Sequence, residues 1–255
     1  MTDIIIQGIA GRMGRAVYEL ASQRTDCRVV AGVDRVDPGL PVPVVSRLED
    51  LPVRGDVLID FSSPEAARAA LSYCRGALLP CVICTTGLTE EDQALLRQAA
   101  KTIPVFKSAN MSLGINLLMD LVQKAARLLG PGYDVEIIEK HHHNKLDAPS
   151  GTALMLLDAL QKGADEPYQP IVHGRHAAKQ KRAEREVGIH AVRGGSIVGE
   201  HEVLFCGPDE VITLSHSAGS RSVFANGALS AAVFLVNSVN KVPGLYSMEQ
   251  LVQSL

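Results

Sequence analysis

The segment Ile4-Ile-Ile-Gln-Gly8-Ile-Ala-Gly11-Arg-Met-Gly14 decides the fold of the first half of this chain. A β-branched run ends at Gln7, glycines recur at every third position, and an apolar helical pattern continues through Val17 and Leu20. This order predicts a strand, a glycine turn and a helix. A turn without side chains, followed by exposed N–H groups, is what a pyrophosphate needs at a helix N-terminus. The glycine spacing differs from the usual G-x-G-x-x-G.

A second strand-like run, residues 28–33, ends at Asp34, twenty residues after Gly14. A dinucleotide-binding fold places an acidic residue at this distance to hold the ribose hydroxyls. Arg35 follows it and is either surface charge or a contact for a 2′-phosphate. The acid favours NADH and the arginine favours NADPH, so the pair predicts use of both cofactors. The alternative is a glycine-tolerant helix cap followed by a solvated aspartate.

Strand-like and helical segments alternate through the rest of this half. Buried strand patterns at residues 57–61, 80–84 and 103–106 are separated by helix starts at Ser62-Ser-Pro and Thr89. This alternation predicts a doubly wound parallel sheet with its ligand at the carboxyl ends of the strands. Asp60, Thr85, Thr86 and residues 108–111 follow those strand ends.

The second half has a different character. An apolar helix pattern at 114–129 stops at Gly130-Pro-Gly132, and we place the change of domain near its start. Segments 188–192, 196–205 and 210–216 read as strands without intervening helices, the last two as a hairpin, which predicts antiparallel pairing. The mixed-charge run at 175–186 is either a solvated loop or helix face, or a binding patch.

The stretch Glu139-Lys-His-His-His-Asn-Lys-Leu-Asp-Ala-Pro-Ser-Gly-Thr-Ala153 carries the densest group of titratable side chains. Residues 135–139 read as a buried strand and Ser150 as the N-cap of a helix with apolar Leu154, Leu157 and Leu160, leaving a loop between. Imidazoles, an ammonium and backbone N–H groups at Gly151 and Thr152 are suited to holding an anion and moving a proton.

Three other interpretations of this stretch remain. It could be a solvated loop, or a zinc site formed by His141, His142, His143 and Asp147. Adjacent residues of an extended segment point to opposite sides, which disfavours a shared metal, and we predict none. A serine nucleophile is disfavoured because the G-x-S-x-G turn is absent.

The composition excludes several classes of protein. The 255 residues carry a formal net charge of −3 and no tryptophan, which argues against nucleic-acid binding. Five cysteines without a signal peptide favour a reducing, cytoplasmic setting. Cys81 and Cys84 suggest a redox or metal pair, but positions i and i+3 of a strand face opposite sides, which favours structural burial. No apolar run is long enough to span a membrane.

These motifs together resemble the dihydrodipicolinate reductase (4-hydroxy-tetrahydrodipicolinate reductase) family. The resemblance rests on the glycine turn, on the segment from Glu139 to Ala153, and on shorter matches in chain order across nearly the whole sequence. The shorter matches are Asp60-Phe-Ser62, Thr85-Thr-Gly87, Asn110-Met-Ser-x-Gly114, Ile197-Val-Gly-Glu-His201 and Phe224-Ala-Asn-Gly227. Cys84, Met111 and His143-Asn144 depart from the usual family pattern.

The resemblance implies a Rossmann-like dinucleotide domain at 1–112 and 221–255 and an α+β domain with a mostly antiparallel sheet at 113–220, for substrate binding and oligomerisation. It implies a cytoplasmic homotetramer of lysine and diaminopimelate biosynthesis that reduces a cyclic imine dicarboxylate with NADH or NADPH. His141 would donate or accept the proton, Lys145 would donate one, and His142, Gly151 and Thr152 would bind substrate carboxylates. The implied cofactor residues are Gly8, Ile9, Ala10, Gly11, Arg12, Met13, Asp34, Arg35, Cys84, Thr85, Thr86, Ser108, Ala109, Asn110 and Met111.

Two rival functions fit the same general pattern. A redox-sensing regulator would bind the dinucleotide without turnover, but binding alone does not require both His141 and Lys145. An amino-acid dehydrogenase of similar build, such as an aspartate dehydrogenase, is a nearer rival. The Asp-Ala-Pro-Ser-Gly-Thr segment, residues 147–152, favours the reductase.

Overall fold

The computed structural model describes residues 1–176, 179–239 and 241–255 and divides into two units. One unit comprises Met1–Leu113 and Arg221–Leu255, and the other comprises Gly114–Ser220. The strands are β1 Thr2–Gln7, β2 Cys27–Val33, β3 Val44–Val45, β4 Val57–Asp60, β5 Cys81–Ile83, β6 Pro104–Lys107, β7 Asp134–His141, β8 Ile171–His173, β9 Val187–Arg193, β10 Glu200–Cys206, β11 Val211–Ser217 and β12 Gly244–Tyr246. The helices are α1 Arg12–Ala21, α2 Pro64–Ala77, α3 Glu90–Ala99, α4 Leu113–Leu129, α5 Gly151–Gly163, α6 Ser222–Asn237 and α7 Met248–Gln253.

The first unit is built on a seven-stranded sheet in the order β12-β6-β5-β4-β1-β2-β3. Every pairing in it is parallel. The chain runs outward from β1 to β3 on one side and from β4 to β12 on the other, so the strand order reverses between β1 and β4. In open parallel sheets this reversal opens the crevice that binds the ligand.

Helices cover both faces of this sheet, which confirms the doubly wound fold. Val17 of α1 and Leu229 of α6 belong to the core on one face. Leu71 of α2 and Leu96 of α3 belong to the core on the other. Cys81 and Cys84 are both free thiols, and they lie in opposite cores as the strand period predicts.

The second unit contains a mixed five-stranded sheet in the order β11-β10-β7-β9-β8. β10 pairs antiparallel with β11 and with β7, as the predicted hairpin requires. The prediction of a mostly antiparallel sheet is wrong in its other half, because β9 pairs parallel with both β7 and β8. The link from β8 to β9 is the charged run, which carries no periodic signal, and its described residues contain no helix. Ala177 and Ala178 of that run lie outside the described residues.

α4 and α5 pack on one face of this second sheet. Val122 of α4 and Leu156 of α5 share a core with Ile137 and Phe205 of the strands. The predicted apolar stripe of α5 is displaced: Leu160 is buried, but Leu154 is 43% exposed. The buried face is formed by Ala153, Leu156, Ala159, Leu160 and Gly163.

Several short elements had no clear sequence signal. Strands β3, β8 and β12 have two or three residues each, too few for a period to be recognised. They exist because a neighbouring strand pairs with them. Among the described residues, no helix combines the length and apolar character needed to cross a membrane.

The contact between α4 and α5 depends on Gly163. A Cβ there would lie 2.1 Å from Gln123 O and 3.0 Å from the Ala126 Cβ. We expect Gly163→Ala to lower the free energy of unfolding by about 1–3 kcal/mol through overpacking. Urea titration measures this against Gly132→Ala, where no atom lies within 4 Å of the new Cβ. Equal midpoints for the two variants would contradict this packing.

Candidate active site

The glycine turn after β1 is closed by backbone contacts that leave no room for side chains. Gly8 has a φ of +81°, and a Cβ on it would lie 2.4 Å from Phe61 O. A Cβ on Gly14 would lie 2.1 Å from Gly8 O. Gly11 is the N-cap of α1 and supplies no side-chain cap. The first N–H groups of α1, at Arg12 and Met13, therefore follow a bare turn, which suits an anion.

Asp34 at the end of β2 is tied to this turn. Its Oδ2 accepts the Ala10 N–H at 2.9 Å, and its Oδ1 accepts the Arg35 N–H at 2.7 Å. Gly8 N donates to Val33 O at 2.8 Å, so the strand end and the turn are joined twice. The predicted ribose-binding carboxylate thus also holds the shape of the glycine turn.

A buried polar network joins the ends of β4, β5 and β6. The Asp60 carboxylate accepts Thr85 Oγ1 at 2.6 Å and also the Ser62 hydroxyl. Lys107 Nζ donates to Thr85 O at 2.7 Å. Burial raises the pKa of Asp60 and lowers the pKa of Lys107, and the attraction between the two groups opposes both shifts. This network fixes the segment that contains Cys84, Thr85 and Thr86.

The segment after β6 folds onto itself. Ser108 Oγ donates to Asn110 O at 3.0 Å, and Ser112 N donates to Asn110 Oδ1 at 2.8 Å. Met111 is buried, and its carbonyl lies against Gly227 of α6, where a Cβ would come within 1.6 Å. All the predicted cofactor residues follow β1, β2, β5 or β6, at the carboxyl ends of the strands of the first unit's sheet.

In the second unit, the carboxylate of Glu139 on β7 is hydrogen-bonded to residues of β7, of β9 and of the start of α5. Its Oε2 lies 2.5 Å from His141 Nδ1, and its two oxygens accept Arg193 Nη1 and Nη2 at 2.8 and 2.7 Å. Its Oε1 also accepts the Ser150 N–H at 3.0 Å. Burial alone would raise the pKa of Glu139, but the bonds from Arg193, His141 and Ser150 hold it below its ordinary value.

The remaining predicted site residues lie between β7 and α5. β7 extends through His141, so Lys140 and His141 belong to the strand and not to the loop that we expected. His143 is exposed, and His142 Nδ1 is enclosed without a hydrogen-bond partner among the described residues. Lys145 Nζ lies 2.9 Å from Asp147 Oδ1.

Ser150 caps α5 as predicted, accepting the Ala153 N–H at 3.2 Å. Gly151 is exposed, with no atom within 4 Å of the position of a Cβ. Thr152 follows it in the first turn. The helix start is therefore open at Gly151, which suits a carboxylate.

His201 on β10 is a buried histidine that the sequence analysis did not assign to the site. Its Nε2 lies 3.1 Å from Ser150 Oγ, and its ring is 5.2 Å from the His141 ring, edge to face. Burial and, next, the nearby His141 lower the pKa of His201 to about 4. His201 is therefore neutral at neutral pH. His216, directly across on β11, also has a pKa lowered by burial.

Sequence reasoning also missed the roles of Glu139 and Arg193. A signal for Glu139 existed, because residues i and i+2 of a strand share a face, which places it beside His141. His201 stood within a motif already quoted, Ile197-Val-Gly-Glu-His201. Arg193 had no local signal, because it meets Glu139 only through the pairing of β7 with β9. Among the described residues, no group of three His, Cys, Asp or Glu side chains could hold a metal ion.

Comparison with known proteins covers both units. Residues 2–111 match the family model described as dihydrodipicolinate reductase, N-terminus, and residues 114–252 match its C-terminus. The chain is 51% identical to the 4-hydroxy-tetrahydrodipicolinate reductase of Caldanaerobacter subterraneus subsp. tengcongensis, over 99% of both chains. It is 46% identical to that of Clostridium botulinum, over 99% of this chain and 98% of the relative.

Solved structures have the same fold. The dipicolinate-bound dihydrodipicolinate reductase from Paenisporosarcina sp. TG-14 superposes with a TM-score of 0.80 at 28% identity, covering 98% of this chain and 99% of that one. Scyllo-inositol dehydrogenase from Lactobacillus casei superposes with a TM-score of 0.60 at 14% identity, covering 99% and 93%, and shares the fold alone.

The depressed pKa of His201 predicts a pH-dependent stability. As pH falls, the unfolded chain protonates this histidine near its ordinary pKa of 6.5, whereas the folded chain does so only at about 4. The contribution of neutral His201 to the free energy of unfolding is therefore complete above the pKa of the unfolded chain. It is lost as the pH falls from that pKa to the pKa of the folded chain. From about pH 7.5 to about pH 5 the loss is about 2 kcal/mol.

We expect His201→Gln to flatten the pH dependence of the free energy of unfolding by this amount, measured by urea titration at both pH values. The carboxylate Glu139 protonates below this window and does not interfere, because its pKa lies under 4.5. His173→Gln removes an exposed histidine and is the control. Equal slopes for wild type and His201→Gln would contradict a neutral buried His201.

Proposed function

The chain belongs to the dihydrodipicolinate reductase family, and from this premise we propose how its own residues perform the reaction. It is an oxidoreductase that reduces 4-hydroxy-tetrahydrodipicolinate with a nicotinamide dinucleotide. We assign dinucleotide binding to residues 1–112 with 221–255, which lie in the first unit, and substrate binding to residues 113–220. When bound, the dinucleotide supplies the hydride.

The observation that carries the substrate assignment is the arrangement at the end of β7. A histidine held by a buried carboxylate, His141, shares one strand-to-helix connection with Lys145 and with the open helix start at Gly151. Hydride addition to a conjugated imine leaves an electron-rich product that must take up a proton. His141 and Lys145 are the groups that supply or relay it.

Substrate carboxylates are held by complementary charge and by backbone donors. Gly151 and Thr152 offer the positive end of α5, and the missing Cβ at Gly151 lets an oxygen approach the backbone. We assign His142 and Lys145, on the same connection, as side chains that contact a substrate carboxylate. A cyclic dicarboxylate meets two such positions at once, and dipicolinate, which is bound in the Paenisporosarcina relative, has this shape.

The first unit fits a dinucleotide because its glycine turn closes against backbone atoms at points where a Cβ would clash, which keeps side chains away from the start of α1. Gly8 and Gly14 leave the start of α1 bare, so the pyrophosphate can approach the N–H groups of Arg12 and Met13. Asp34 would accept the ribose hydroxyls of the bound dinucleotide, and Arg35 would contact a 2′-phosphate. The segments at Cys84, Thr85 and Thr86 and at Ser108, Ala109, Asn110 and Met111 complete the lining.

We propose a homotetramer formed through the second sheet. α4 and α5 cover one face, and among the described residues no helix covers the other, where Val192 and Val211 are 46% and 58% exposed. Light scattering of the purified protein tests the mass. Five free thiols are stable in a reducing compartment, so we place the protein in the cytoplasm.

We expect turnover in a coupled assay that contains pyruvate, aspartate semialdehyde, the synthase that condenses them, and NADH. His141→Gln and Lys145→Ala should each lower kcat by about 10²–10⁴-fold with dinucleotide binding intact, because a positioned proton donor is lost. His143→Ala is the matched control and should change little. A flat trace from folded wild-type protein with both NADH and NADPH would sink the reductase assignment, and an equally damaging His143→Ala would relocate the proton donor.

Cofactor choice depends on Asp34 and Arg35. We expect wild type to use both cofactors, with NADH preferred by at most about tenfold, or ~1.4 kcal/mol. Asp34→Ala loses the ribose acceptor and also the bond to Ala10 N, so it should lower kcat/KM with both cofactors, and more with NADH. Asp34→Asn keeps an acceptor for that bond and should move the preference toward NADPH.

Arg35→Ala should lower kcat/KM chiefly with NADPH, because a charge-assisted contact to the 2′-phosphate is lost. Arg75→Ala, an exposed arginine on α2, is the control for loss of surface charge. The measurement is kcat/KM for both cofactors in each protein. An unchanged ratio in all variants would place the ribose elsewhere.

A further inference from the structure

We propose that Glu139 and Arg193 act as a positioning pair that holds His141 as its Nδ1–H tautomer and leaves Nε2 as the atom that exchanges protons. The inference rests on the proposed role of His141. It goes further by naming the reactive nitrogen and the two residues that select it.

The hydrogen-bond directions around Glu139 require this tautomer. Arg193 and the Ser150 backbone can only donate, so three of the four contacts to the carboxylate bring a proton to it. An ionised carboxylate accepts and cannot donate. The fourth contact, at 2.5 Å from His141 Nδ1, therefore needs a hydrogen on Nδ1. In the neutral ring, Nε2 then carries the lone pair.

On the opposite side of the His141 ring, the neighbouring residue is a glycine. A Cβ at Gly199 would lie 3.1 Å from His141 Nε2 and 3.9 Å from His201 Cε1. Glycine at this position keeps a side chain away from Nε2, and the His141 side chain is 10% exposed. The two nitrogens thus have different surroundings, with a carboxylate at Nδ1 and a glycine beside Nε2.

Arg193 balances the charge that His141 meets. A lone buried carboxylate beside a histidine would hold the proton tightly and keep the ring charged. The bidentate guanidinium offsets that charge while leaving the acceptor oxygens in place. The other titratable groups nearby are His201 on β10, His216 on β11, and Lys145 with Asp147 on the loop. His201 is neutral, so the charged group bonded directly to the His141 ring is Glu139, and Arg193 acts on the ring through that carboxylate.

The opposite face of β7 supplies a matched comparison. Glu136 lies 2.7 Å from His190 Nε2 and is held by Arg175 through two bonds of 2.7 and 3.0 Å. It is therefore a carboxylate bonded to a histidine and an arginine, on the same strand, without a role in the proposed chemistry. Glu136→Gln controls for the structural cost of breaking such a cluster, provided light scattering shows an unchanged mass.

The test compares Glu139→Gln, Arg193→Met and the double variant with wild type by two measurements. Solid-state NMR of protein labelled with ¹³C,¹⁵N-histidine reports the tautomer, with His141→Gln identifying the resonance. The pH profile of kcat reports the proton donor. The NMR measurement needs no turnover, so an inactive wild type would defeat the proposed function while the tautomer is still decided.

We expect wild-type His141 to be the Nδ1–H tautomer. Glu139→Gln should admit the Nε2–H form and lower kcat by about 10–100-fold, with KM within about threefold. In this variant the alkaline limb of the pH profile of kcat should move to lower pH. Arg193→Met leaves the carboxylate unbalanced, so its alkaline limb should move about one pH unit upward. Glu136→Gln should keep the wild-type profile. Glu139→Asp keeps the charge and is the second variant, to be used where Glu139→Gln folds poorly. It should retain part of the Nδ1–H population of His141 and part of kcat.

Two results would overturn the proposal. One is an Nε2–H tautomer of His141 in the wild-type protein, or an Nδ1–H tautomer that persists unchanged in Glu139→Gln. The other is recovery of kcat in the Glu139→Gln/Arg193→Met double variant, because that would mean the pair is a buried ion pair whose only effect is to balance itself. Gly199→Ala gives an independent check: it should lower kcat by covering Nε2 while the Nδ1–H tautomer persists.

Discussion

The carboxylate of Glu139 is the anion on which the second unit's site depends. It is fully buried, and a buried carboxylate is costly unless donors surround it. The donors come from His141 on the same strand, Arg193 on β9 and the Ser150 backbone at the start of α5. The contacts to this one charge therefore tie together the end of β7, β9 and the start of α5. The His141 ring and the start of α5, to which we assign proton transfer and carboxylate binding, are placed together by the same contacts.

The first unit also uses acidic side chains at the carboxyl ends of its strands, where we propose that the cofactor binds. Asp60 is buried at the end of β4 and gathers the hydroxyls of Ser62 and Thr85, and Asp34 at the end of β2 gathers the Ala10 N–H. Loops after parallel strands have no ladder of their own to hold them. Acidic residues at or just after the strand ends hold these loops in place through the hydrogen bonds that they accept.

Local signals were sufficient for most of the individual elements. Thr89 and Ser150 were recognised as helix starts because capping depends on residues within one turn. The parallel order of the first sheet followed from alternating strand and helix patterns. The predicted pairing of the second sheet was wrong for half of its strand pairs, because a parallel crossover through a charged loop has no period to detect. Leu154 was predicted to be buried but is exposed. Several leucine-rich stripes are possible on an apolar helix, and packing on the strands selects one of them.

The sequence by itself determined the glycine turn, the order of elements, the family resemblance and the membership of His141, Lys145, Gly151 and Thr152 in one candidate site. These depend on spacing along the chain. Only the tertiary structure decided that Arg193, 54 residues from Glu139, shares its carboxylate, and that His201 is buried against the His141 ring. Such contacts follow from strand register. Register is set when the α4 and α5 faces bury the apolar side of the sheet, and a shift of one residue would turn each of these side chains to the other face.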